Sequence, residues 1–129
     1  MTPLTLAKKA AFIADSKKGE EVLLLDLRKL SSVTDYFVIC GSRSLVGVRA
    51  IAEAILEQLK QEGSVANHIE GMQAGTWVLA DYGDVVVHVF FEQVRKYYDL
   101  ESLRGDAPRR SFKPRQKTET KGGRRRTKG

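Results

Sequence analysis

The stretch Trp77-Val78-Leu79-Ala80-Asp81-Tyr82-Gly83-Asp84-Val85-Val86-Val87-His88-Val89-Phe90 decides the fold. Two runs rich in β-branched and aromatic residues flank a short turn, Tyr82-Gly83-Asp84. This spacing predicts a hairpin, with strands over Trp77 to Asp81 and Val85 to Phe91 and Gly83 taking positive φ in the turn. In the second run, Val86, His88 and Phe90 alternate with Val85, Val87 and Val89. His88 is therefore either a half-buried residue with its hydrogen bonds met or part of a binding face.

Upstream of the hairpin, Gly71 to Gly75 reads as a loop and Asn67 to Glu70 as a short strand. Before them, a long helix follows Ser44 and runs to about Glu62. Val48, Ile51, Ala52, Ile55, Leu56 and Leu59 fall on one helical face, and Gly63 supplies the C-terminal stop. Arg49 and Glu53 are spaced as an i, i+4 ion pair on its wet side. Gly41-Ser42-Arg43-Ser44 links this helix to a strand over Asp35 to Cys40, whose unbroken apolar run predicts a central position. Ser31 to Thr34 is a loop, and Glu21 to Leu27 is another strand. Residues 2–17 form a helix capped by Thr2, with Pro3 in its first turn and Gly19 beyond its end. Downstream, Glu92 to Leu103 reads as one or two short helices, stopped by Gly105 and Pro108. The order α-β-β-α-β-β-β-α predicts an α/β domain with a mixed sheet of four or five strands flanked by helices.

Charge divides the chain more sharply than its total suggests. The 129 residues hold 22 Lys and Arg against 16 Asp and Glu, a net +6. Ten of the basic residues and one acid, Glu119, fall in residues 107–129, making that segment +9. Residues 1–106 keep twelve basic and fifteen acidic residues, or −3. The expected organisation is one mildly acidic domain over 1–106 and a disordered basic tail over 107–129. Cys40 is the single cysteine, which excludes an internal disulfide and a cysteine-based zinc cluster. Its apolar neighbours mark it as core. No stretch reaches the roughly 20 apolar residues of a membrane span, and no signal-peptide core is visible. These features predict a cytoplasmic protein.

Several groups invite a chemical reading. The Gly41-to-Ser44 turn sits at a helix N-terminus, where backbone N–H groups attract phosphate. It is similar to the Gly-Ser turn of nucleotidyltransferases, but it lacks the P-loop pattern. The next acid, Glu53, lies in the helix, and Asp84 and His88 do not make a two-metal pair. A helix-capping turn is the default. His68 and His88 are the only histidines, too few for a metal site without cysteine partners. Trp77, Tyr82, Phe90, Phe91, Tyr97 and Tyr98 are interleaved with Glu70, Asp81, Asp84, Asp99 and Glu101. Such aromatics are either core or an acid-rimmed interface for a basic protein. In the tail, Arg109, Arg110, Lys113, Arg115, Arg124, Arg125 and Arg126 can neutralise phosphates or simply aid solubility. With Phe112 as its one aromatic, the tail offers no base-stacking platform.

Ser32-Val33-Thr34-Asp35-Tyr36-Phe37-Val38-Ile39-Cys40, Ala50-Ile51-Ala52, Glu70-Gly71, the hairpin above and Arg95-Lys96-Tyr97-Tyr98-Asp99-Leu100-Glu101 carry one further signal together. Over residues 4–107 the chain resembles the ribosomal silencing factor family, RsfS, also called Iojap-like. The hairpin followed by R-x-Y-Y-D-L-E is its most specific part.

The resemblance implies a nucleotidyltransferase-like but non-catalytic fold, with no cofactor and no metal. It implies binding to ribosomal protein L-fourteen on the large subunit, obstruction of subunit joining and lower translation under nutrient limitation. Organellar relatives act in large-subunit assembly. By motif position, the partner-binding residues are Glu70, Trp77, Asp81, Tyr82, Asp84, His88, Tyr98, Leu100 and Glu101. Trp77 and Leu100 would be anchors and the acids charge partners. Two departures stand out. Arg104 occupies a position where the family usually has Trp, and the +9 tail extends beyond the usual core. The tail is expected to add contacts to ribosomal RNA. An active nucleotidyltransferase and an assembly factor are the competing expectations, and a homodimer off the ribosome stays open.

Overall fold

Thr2 opens the first element by accepting the N–H of Thr5 on its hydroxyl, 3.1 Å away. In the computed structural model, which describes residues 1–93 and 109–111, this starts α1, Pro3–Ser16. Strand β1, Glu20–Asp26, and strand β2, Tyr36–Ser42, follow as an antiparallel pair. Ser44 then caps α2, Leu45–Gln61, its Oγ accepting the Gly47 N–H at 2.9 Å. Three more strands complete residues 1–93: β3, His68–Glu70; β4, Trp77–Asp81; and β5, Val85–Phe91. The Gly41-to-Ser44 turn is thus a capping turn. Cys40 is fully buried.

The strand order is β3-β4-β5-β2-β1-β6. Only β2 and β5 run parallel; every other pairing is antiparallel. The mixed sheet and α/β class are as expected, and β2 is central. The strand count is not as expected. A sixth strand, β6, Arg109–Ser111, pairs along β1 with Leu23 opposite Ser111 and Leu25 opposite Arg109. The sheet therefore runs past the boundary placed at 106. The reason is physical: a strand edge offers backbone donors and acceptors to any extended segment, whatever its side chains.

Strand alternation sorts the core into two layers. Val22, Leu24, Val38, Cys40, Val78, Ala80, Val85, Val87 and Val89 pack against Leu6, Ala10, Val48, Ile51, Ile55 and Leu59 of the helices. Alanines at 7, 10, 11 and 14 bring α1 close to its neighbours. The opposite sheet face forms a separate apolar cluster around Leu25, Leu27, Ile39 and Phe90. At the hairpin, Gly83 takes the expected positive φ of 90°, and Asp81 Oδ1 accepts its N–H at 2.7 Å. Of the helix expected over 92–103, only Glu92 and Gln93 lie within the described residues.

Arg49 departs from the expected pair with Glu53. Its guanidinium instead donates to the Gln73 carbonyl oxygen, 3.1 Å away in the loop after β3.

Candidate functional site

On the sheet face away from α1 and α2, three strands place aromatic and imidazole side chains together. β2 contributes Phe37, β4 contributes Trp77, and β5 contributes His88 and Phe90. Register pairs Trp77 with Phe90 and Leu79 with His88. His88 is consequently the diagonal neighbour of Trp77, within reach of a long side chain. The indole N–H of Trp77 donates to His88 Nδ1 at 3.1 Å. Phe37 meets the imidazole edge-on at 4.5 Å between centroids. Phe90 lies 4.8 Å from the indole and nearly parallel to the imidazole at 6.2 Å.

His88 is buried, at 4% exposure. Burial pushes its imidazole down to about 4, with Asp81 pulling weakly the other way. The ring is neutral at physiological pH. Because the indole can only donate, Nδ1 is the acceptor and Nε2 carries the proton. Nε2 has no hydrogen-bond partner among the described residues. Trp77, in contrast, is half-buried and reaches the margin of the face.

Acids stand around this margin. Glu70 is exposed on β3, opposite Leu79 in register, and pairs with His68. Asp81 is half-buried on the same face as Trp77 and Leu79. Gly71 makes the tight return from β3 possible: its φ is 87°, and a Cβ there would lie 1.9 Å from the Trp77 carbonyl oxygen.

The expected partner-binding residues thus divide. Glu70, Trp77, Asp81 and His88 share one face, but His88 lies beneath the surface and supports Trp77. Tyr82 points the other way, packing on the core under the helices. Burial pushes its hydroxyl up to about 12, and the hydroxyl has no partner among the described residues. Tyr82 is therefore not beside Trp77: it continues the alternation of Val78 and Ala80 on the helix side. Asp84 is at the hairpin tip, exposed, its carbonyl oxygen accepting the N–H groups of Asp35 and Tyr36. Tyr98, Leu100, Glu101, Arg104, Lys113, Arg115, Arg124, Arg125 and Arg126 lie outside the described residues. Arg109 and Arg110 stand in β6. Sequence spacing missed Arg49 and Phe37. Gly71 and Gly75, flanking the loop that Arg49 reaches, were the available signal.

Among the described residues there is no cluster of three or more His, Cys, Asp or Glu able to hold a metal, and no helix long and apolar enough to cross a membrane. The family described as "Ribosomal silencing factor during starvation", RsfS, matches residues 1–129. The chain belongs to the RsfS family.

RsfS of Bacillus subtilis is 45% identical over 108 residues, covering 84% of this chain and 92% of that protein. The chloroplastic Iojap protein of Zea mays is 33% identical over 105 residues, 81% of this chain and 45% of that protein. A crystal structure of a Chromobacterium violaceum protein superposes with a TM-score of 0.79 at 34% identity, covering 92% of this chain and 95% of the other. RsfS proteins are named for a regulatory rather than a catalytic role, and the family implies association with the ribosome.

Proposed function

We propose that this protein docks on the large ribosomal subunit at ribosomal protein L-fourteen and blocks joining of the small subunit by occupancy, repressing translation when nutrients are limiting. The observation that carries this reading is the Trp77 indole, held by His88 on a sheet face that also carries Glu70 and Asp81. A large aromatic with a polar end, rimmed by acids, suits a basic protein surface. The −3 charge of residues 1–106 has the sign that steers toward such a partner. Steric obstruction needs no catalytic group, so the protein acts without enzymatic turnover, in the cytoplasm. The segment beyond β6 adds contacts to ribosomal RNA through its arginines and lysines. Off the ribosome, two copies pair through this domain.

The test is subunit joining. Large subunits preincubated with the protein are mixed with small subunits and resolved on a sucrose gradient. Fewer monosomes, with the protein sedimenting alongside large subunits, is the expected result. Binding with undiminished joining makes large-subunit assembly the better account. Binding to neither subunit sinks both. Trp77→Ala should restore joining, and Val33→Ala, at an exposed loop position, should not.

A further inference from the structure

Two contacts among the described residues hold the indole of Trp77. Its N–H is bonded to His88 Nδ1, and its ring lies against Phe90. The imidazole is itself wedged between the edge of Phe37 and the near-parallel ring of Phe90. With Nδ1 committed as acceptor, only the Nε2–H tautomer satisfies the pair. Asp81 of β4 is the charged group facing the imidazole; the β2 residues against it, Phe37 and Ile39, carry none. A buried polar ring costs stability unless it is hydrogen-bonded; of the two ring nitrogens only Nδ1 has a partner among the described residues, and that partner is the Trp77 indole.

We propose that His88 is a positioning residue for docking: it touches no partner, but it holds the Trp77 indole in one orientation for a basic protein surface to meet. This rests on the docking reading above. A pre-oriented anchor spares the ordering cost of binding, and losing one such restraint together with its hydrogen bond corresponds to about fivefold in affinity.

Trp77 is the sole tryptophan, so its fluorescence anisotropy reports the restraint directly and independently of binding. Full-length variants are compared by that anisotropy and by sedimentation with purified large ribosomal subunits. His88→Phe keeps the ring and removes the acceptor; it should lower the anisotropy and weaken binding about fivefold. His88→Asn places its oxygen near the Nδ1 position and should stay within about twofold of the parent. In a Trp77→Phe background, where no donor remains, His88→Phe should cost nothing further. If His88→Phe does not fold, His88→Gln replaces it, because glutamine carries its oxygen toward the Nε2 position. Parental anisotropy and binding in the acceptor-less variant overturn the inference, as do additive losses in the double variant. A loss in Trp77→Ala with none in the His88 variants overturns the inference alone. Parental binding in Trp77→Ala overturns the docking reading beneath it.

Discussion

Arg49 on α2 donates from Nη1 to the carbonyl oxygen of Gln73, 24 residues later in the chain and 3.1 Å away. The loop between β3 and β4 is thereby tied to the helix, and Gly75 makes room: a Cβ there would stand 2.5 Å from the same Nη1. Arg49→Ala should cost about 1 kcal/mol. Amide exchange should quicken across residues 71–76 and stay slow in β5. Unchanged exchange in that loop would show that the contact restrains nothing.

Acid should destabilise the fold through His88. Its imidazole falls from 6.5 to about 4 on folding. Between those values the unfolded chain binds a proton that the folded one refuses, so stability drops as pH falls through that window. It is fully present above the unfolded value. The contribution is on the order of 3 kcal/mol. Denaturant midpoints from pH 7 to pH 4 should decline in the parent and decline less in His88→Asn.

Phe90 is 1% exposed and joins the apolar cluster to the Trp77 ring. Phe90→Ala should lose about 3–5 kcal/mol in urea unfolding. The same truncation at Val33, 78% exposed, should stay within about 0.5 kcal/mol.

The start of α2 is crowded. A Cβ on Gly47 would fall 2.1 Å from Ser42 Oγ. Gly47→Ala should therefore lower the melting temperature despite alanine's better helix propensity. Ser44→Ala, which removes the cap, should cost about 1 kcal/mol.

Strand β6 separates two effects of the basic segment. Ending the chain after Ser111 keeps the pairing with β1, whereas ending it after Pro108 removes it. Only the shorter form should be destabilised, by about 1–3 kcal/mol in urea unfolding. Both should show a shallower salt dependence of ribosome binding than the full chain, each lost single-strand phosphate contact removing about 0.7 from the log–log slope. Equal slopes in all three would remove RNA contact from the account.

The hairpin, both helices with their caps and the central place of β2 were legible because each spans enough residues to show a period. β6 was not: three residues have no period, and what places them is the open edge of β1. The alternation of His88 with Val86 and Phe90 named its face correctly but not its depth. Both faces of β5 are buried, so polarity did not reveal how far from solvent that face lies. Tyr82 came from motif position alone, whereas strand alternation with Val78 and Ala80 sets it on the helix side. Arg49 looked like a partner for Glu53 because helical spacing knows nothing of a loop arriving from elsewhere.

The two outermost strands, β3 and β6, are three residues long, and every residue of β3 is exposed. Short margins carrying His68, Glu70, Arg109 and Arg110 are poor templates for runaway strand pairing. A sheet that ends this way offers other chains little edge on which to seed aggregates.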